Sequence, residues 1–220
     1  MMKKLLASIL GLFMAAPLFA QGAYGYQGYG HTGNSPFTED HNIYYGLRLG
    51  LSMATIHTDD ALLDGGNMQS GLNVGGIIGF QLAPSAPVAL ESGLLYTEKG
   101  GKGYVDNKKF TFDLNYLMMP IVVKYMYELD DDLTVQPFLG GYLAYGVSGK
   151  VKNFADRQAC SSYSDGYFKH FDGGLRFGCG LQYQVLYAEV SYDLGLANIS
   201  HDYFGSTHTG CLAINVGVNF

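Results

Sequence analysis

The chain of 220 residues has no tryptophan, 6 prolines and 3 cysteines, and past its first twenty residues it has no long apolar run. Each shortage removes a class of answer. A spanning helix needs roughly 20 consecutive apolar residues, so any membrane position has to come from strands. Three cysteines leave at least one thiol unpaired, an odd count for an oxidising compartment. Basic residues are few: 13 Lys and Arg face 19 Asp and Glu, a formal charge of −6. Loss of Lys3 and Lys4 with a leader takes this to −6 − 2 = −8. With no basic stripe to neutralise phosphates, nucleic acid is excluded as a partner. No His-x-x-x-His spacing occurs, and no motif calls for a cofactor.

What is abundant is glycine, 31 residues, and tyrosine, 18 residues. That mixture is odd for a soluble enzyme and suits tightly curved strands with aromatic belts. The amino terminus reads as an export signal over residues 1–20: Lys3-Lys4 is the charged region, Leu5 to Phe13 the apolar core, and cleavage is expected after Ala20. No cysteine follows that point to carry a lipid. Residues 21–42, with Tyr24-Gly25-Tyr26-Gln27-Gly28-Tyr29-Gly30, have neither helical nor strand period and are expected to be a flexible periplasmic arm.

From residue 43 to 220 the chain repeats one pattern, clearest in its last segment. Leu212, Ile214, Val216, Val218 and Phe220 share one face, and Ala213, Asn215, Gly217 and Asn219 share the other. Seven earlier segments alternate likewise: Tyr44 to Ile56, Gly71 to Ala83, Val88 to Thr97, Phe110 to Tyr127, Leu133 to Ser148, Lys169 to Gln184 and Leu186 to Ile199. The fourth shifts phase, from an outward set of Phe112, Leu114 and Tyr116 to Leu117, Met119, Ile121, Val123 and Tyr125, which predicts a bulge near Tyr116-Leu117 where Pro120 is tolerated. Long loops are expected at His57–Ser70, Glu98–Lys108, Gly149–Phe168 and Ser200–Thr209, and short turns between them. The expected fold is therefore all-β: an eight-stranded antiparallel up-and-down transmembrane barrel with both termini periplasmic and long loops outside.

A soluble eight-stranded barrel would share the strand number, but its charges would lie outside. Here Arg48, Glu91, Lys124, Arg176, Glu189 and Asp193 all fall on the small, polar face, three of each sign. They predict a balanced ion-pair network in the lumen, since mid-strand charges on lipid would cost kilocalories each. Tyr45, Phe80, Tyr125, Tyr183 and Phe220 are assigned to the periplasmic aromatic belt, Tyr96 and Tyr145 to the outer one.

Four stretches carry a family likeness: Leu117-Met118-Met119-Pro120-Ile121-Val122-Val123-Lys124-Tyr125; Pro137-Phe138-Leu139-Gly140-Gly141-Tyr142; Phe171-Asp172-Gly173-Gly174-Leu175 with Gly178-Cys179-Gly180; and Tyr192-Asp193-Leu194-Gly195-Leu196-Ala197-Asn198-Ile199. Together they resemble the PorT-like family of outer-membrane β-barrel proteins, porin-family small barrels, from about Tyr44 to Phe220. Met118 departs from it, standing where such proteins often carry an acidic residue. The resemblance implies an eight-stranded outer-membrane barrel whose role is poorly defined; some relatives assist protein secretion.

An eight-stranded barrel has an interior that side chains can fill, so the expected role is structural or in surface interaction through the long loops, with outer-membrane lipid around it and an unknown protein or glycan as partner. One alternative is a narrow solute or ion path past Arg48, Glu91 and Lys124. The other is a hydrolytic or metal-binding rim: His57, His170, His201 and His208 fall at the outer ends of strands, near Asp59, Asp60 and Asp202. Cys160 and Cys211 lie toward that same side, so a disulfide between them is conceivable if the geometry allows.

Overall fold

The computed structural model describes residues 43–58, 68–83, 86–105, 108–130, 132–152, 160–163, 168–200 and 206–220. The expected leader and arm, and His201, lie outside the described residues.

Eleven strands follow in chain order: β1 (Ile43–Thr58), β2 (Gln69–Ala83), β3 (Ala86–Val105), β4 (Lys108–Tyr125), β5 (Tyr127–Asp130), β6 (Leu133–Ser148), β7 (Lys150–Lys152), β8 (Cys160–Ser161), β9 (Phe171–Tyr183), β10 (Leu186–Gly195) and β11 (Thr207–Asn219). Eight of them, β1, β2, β3, β4, β6, β9, β10 and β11, pair antiparallel in that cyclic order, and β1 with β11 closes the ring. Closure leaves no sheet edge, the condition for strands to cross lipid. Tyr45 and Phe220 exchange backbone hydrogen bonds of 2.8 Å in both directions, so the ladder runs to the final residue. The short strands β5, β7 and β8 extend the wall at its two ends.

Burial alternates with period 2 in the reverse sense to a soluble protein. Many large apolar side chains on the outer face are more than a third exposed, with Leu51 and Leu139 at 62%, whereas Arg48, Lys124 and Asp172 inside are at most 1% exposed. An apolar surface wrapping the whole wall would not stay dissolved in water, but it matches acyl chains. Of the aromatic residues assigned to the belts, Tyr45, Phe80, Tyr125, Tyr183 and Phe220 at the short-turn end and Tyr145 at the other are exposed on that face, while Tyr96 is half-buried.

Expectations fail at three places, all toward the end opposite the short turns: the loop expected at Gly149–Phe168 holds β7 and β8, and the other two departures are larger. Glu98–Lys108 is no long loop: β3 continues to Val105 and pairs with β4 from Glu98↔Asn115 to Val105↔Lys108. In addition, Phe112, Leu114 and Tyr116 face inward with Met118, Val122 and Lys124, so β4 keeps one phase along its length. What changes at this point is the environment. Below Tyr116 the outward residues are Leu117, Met119 and Ile121; above it they are Asn115, Asp113 and Thr111. The wall switches from lipid-type to water-type patterning, which imitates a phase shift in sequence. A register shift does occur here, but on β6, between Asn115↔Ser148 and Tyr116↔Gly146. Pro120 needs no bulge: the β3–β4 pairing skips it and resumes in the same register at Leu95↔Met118.

The same end of the barrel is partly covered. Pairing of β2 with β3 stops at Asn73↔Thr97, and above it β3 passes the inner side of β2 at Gly71. There the Glu98 carbonyl accepts a hydrogen bond from the Ser52 hydroxyl of β1, skipping β2. A Cβ at Gly71 would lie 2.5 Å from that carbonyl oxygen, so the crossing requires glycine. The β3–β4 extension therefore leans over the mouth.

Candidate functional site

The interior is filled in four levels, each built from inward positions of the alternation. At the short-turn end is an amide floor: Gln136 and Asn219 both donate to the Gln182 Oε1 at 2.9 Å, and Gln182 donates to the Gln184 carbonyl. Above it lies the main ion-pair cluster. Glu91 sits 2.8 Å from Lys124 and 3.6 Å from Arg48, and accepts from the Tyr44 hydroxyl at 2.7 Å. Lys124 donates to the Tyr187 hydroxyl, which donates to Glu189 at 3.0 Å. Arg176 bridges Glu189 at 3.2 Å and Asp193 at 2.8 Å, and Asn215 adds a donor to Glu189. The Arg48 guanidinium lies 3.9 Å over the Tyr187 ring, a cation–π contact strengthened by exclusion of water. Tyr187 is thus the hub, and it fits because β9 has glycine beneath it: a Cβ at Gly180 would stand 2.1 Å from its hydroxyl oxygen.

The third level escapes sequence reasoning. Lys99, placed within an expected loop, is buried in the lumen, 3.2 Å from Asp172 and 4.4 Å above the Tyr142 ring. Asp172 also accepts from Thr209 at 2.9 Å and from Tyr142 at 3.3 Å. Asp172 was legible as an inward residue; its partner was hidden because Lys-Gly-Gly-Lys reads as loop. Among the described residues the buried charges are thus Arg48, Lys99, Lys124 and Arg176 against Glu91, Asp172, Glu189 and Asp193, four of each sign. The net charge inside is zero, which is what a low-dielectric interior demands: an unpaired buried ion costs several kcal/mol.

The fourth level is apolar. Phe112, Leu114, Tyr116, Phe168 and Ile199 pack as part of one buried cluster, with Ile56 and Tyr163 against it and the Phe112 and Phe168 rings stacked at 5.2 Å. Together they form a lid beneath the leaning β3–β4 extension.

Among the described residues the rim histidines fall in two places. His57 is the register partner of His208 on adjacent strands; the Nε2 of His208 lies 3.3 Å from the Ser206 hydroxyl. His170 is elsewhere, its Nδ1 2.8 Å from the Gly146 carbonyl and its ring stacked between Tyr145 and Tyr163 at 5.2 and 4.7 Å. No group of three His, Cys, Asp or Glu side chains suited to a metal occurs among the described residues. Cys211 is a free thiol buried in the interior, so it forms no disulfide with Cys160; Cys179 is a free thiol on the lipid face.

Comparison with known proteins agrees with this architecture. The model of the outer membrane protein β-barrel domain family matches residues 19–201, stopping short of the closing strand. No curated protein matches the chain in sequence. Among solved structures, Neisserial surface protein A is similar at 15% identity, with 82% of this chain and 98% of that one covered and a TM-score of 0.47. OprG of Pseudomonas aeruginosa is similar at 14% identity, with 80% and 95% covered and a TM-score of 0.47. The attachment invasion locus protein Ail of Yersinia pestis follows at 13% identity, 82% and 100% covered, TM-score 0.43. The family match spans most of the chain, so this protein belongs to the outer membrane protein β-barrel domain family and resides in the cell outer membrane.

Proposed function

We propose that this barrel is a closed, non-catalytic membrane support that presents its outer loops and the β3–β4 extension for surface interaction. The observation that carries this reading is the filled lumen: eight buried charges compensate one another between an amide floor and an apolar lid. A conducting path needs charges that an ion can visit and leave, whereas each of these is paired with an opposite charge inside the wall. A hydrated lumen is compatible with closure, since Arg48 Nε, Ser191 Oγ and Asn215 Oδ1 are shielded atoms with no protein partner and are natural sites for internal water. Of the rim histidines, His170 is held by the Gly146 carbonyl and two tyrosine rings, which supports a packing role for it over an acid–base one.

In this reading the short-turn end and both termini face the periplasm, residues 1–20 are removed on export, and residues 21–42 remain as an arm there. The PorT-like resemblance is our finer placement within the family. Planar-bilayer recording of the folded chain tests the proposal. We expect no channel steps; a reproducible conductance that changes in Arg48→Ala overturns closure and installs the narrow channel in its place. N-terminal sequencing of the exported chain tests the cleavage at Ala20.

A further inference from the structure

Where β3 leaves β2, the wall opens into a cleft of about 260 Å³ lined by Gln69, Ser70, Gly71, Glu98, Lys99, Asp113 and Asn115. We infer that this cleft is a binding site for one sugar ring, a neutral polyol presented at the outer membrane surface. The inference rests on the surface-interaction reading above and gives it a ligand class and an address.

The position follows from β4: Asn115 is the first outward polar residue above the lipid-facing Leu117, so the cleft sits at the level where the acyl chains end and headgroups and sugars begin. The chemistry follows from what the lining groups already do. Gln69 donates to Asp113 at 2.6 Å, Glu98 accepts from the Leu72 backbone N–H at 3.0 Å, and Asn115 donates to Ser148 at 3.0 Å. These bonds lock four planar forks in place before any ligand arrives, the preorganisation that makes a polar site specific.

Other ligand classes fit less well. The lining carries two carboxylates, while the Lys99 ammonium is held by Asp172, so an anion meets repulsion. A bare metal ion needs converging oxygens, and here each carboxylate is already engaged with a different neighbour. An apolar molecule would strand the polar lining without partners. A polyol donates to carboxylates and carbonyl oxygens and accepts from amides. The volume is below the range of sites for drug-sized ligands, which suits a single ring over an oligosaccharide.

The test uses the full mature chain in phosphatidylcholine nanodiscs, because sugar-headed detergents would compete. Methyl pyranosides of the gluco, galacto, manno and N-acetylglucosamine series are titrated while the side-chain amide resonances of Gln69 and Asn115 are followed by NMR. A second arm presents the same sugar as a monoglycosyl lipid within the nanodisc. We expect saturable shifts with at least one sugar at a Kd of about 1 mM, weakened at least about tenfold in Asp113→Asn and Asn115→Ala, each checked for folding by a heat-dependent gel shift. Binding in the first arm assigns a soluble or polymeric source, and binding confined to the second assigns a membrane lipid. No shift in either arm for the folded wild-type chain overturns the site, as does binding that both variants leave unchanged. Shifts with calcium chloride and none with sugars overturn it in favour of a cation. A silent bilayer with no sugar binding removes the cleft alone and leaves the closed barrel, so the two proposals fail separately.

Discussion

Neutralising Glu91 is the sharpest perturbation of the lumen. In Glu91→Gln the Tyr44 hydroxyl keeps an acceptor, but Lys124 at 2.8 Å and Arg48 at 3.6 Å lose their shared counter-charge. The interior then holds four cations against three carboxylates. Breaking a buried pair by removing one partner costs about 3–5 kcal/mol, most of it from the charge left behind. The second step separates charge from packing. In Glu91→Gln with Lys124→Met the count returns to three against three, and the Met stem can keep the apolar contacts beside the Phe138 and Tyr187 rings. The double variant should therefore recover at least about half of the loss, since exchanging a buried pair for apolar groups is often neutral. The assay is equilibrium unfolding by guanidinium in lipid vesicles, read by strand circular dichroism and the gel shift, with the midpoint compared at constant slope. A single variant that loses under about 1 kcal/mol, or a double variant no more stable than the single, refutes the picture of a filled, charge-compensated lumen.

Three further outcomes follow from other parts of the wall. Leu139→Arg places a charge at a lipid-facing position and should cost about 2–4 kcal/mol in vesicle unfolding; a soluble barrel would tolerate it, since Leu139 is 62% exposed. Gly180→Val forces the Tyr187 ring off its seat and should destabilise by about 1–3 kcal/mol, and an unchanged unfolding midpoint would show that the ring has room elsewhere. In a Cys160→Ser background a membrane-impermeant thiol reagent should leave both Cys179 and Cys211 unlabelled in folded proteoliposomes and label both after denaturation; rapid labelling of Cys211 in the folded state would reveal an open lumen.

The membrane-spanning part was legible because lipid imposes one rule on every residue of it. Strand faces such as Leu175, Phe177, Leu181 and Tyr183 outward, with Asp172, Arg176 and Gln182 inward, could be read by counting in twos. So could the six central charges, since no other face can hold them. Which carboxylate meets which cation was beyond reach, because that depends on stagger between strands: Glu91 on β3 meets Lys124 on β4 and Arg48 on β1. Reading failed above the lipid, at Lys99 and at Phe112, Leu114 and Tyr116. There water replaces acyl chains, the outward set becomes polar, and the ladder continues without its apolar signature. Gly100-Gly101-Lys102-Gly103 then resembles a loop although the same residues pair with Asp113, Phe112, Thr111 and Phe110.

The switch at Asn115–Tyr116 also works as a waterline. A barrel held at a set depth cannot bob: sinking by one residue pair would drag Asp113 and Asn115 into hydrocarbon, and rising would bare Leu117 and Met119 to water. From that line β3 runs on from Glu98 to Val105, about 25 Å of strand. Because it leans over the mouth, it rises above the bilayer by less than that length. The extension is therefore an arm rooted at the waterline. Whatever meets its tip does so beyond the layer of lipid headgroups, while the cleft at its foot stays level with them.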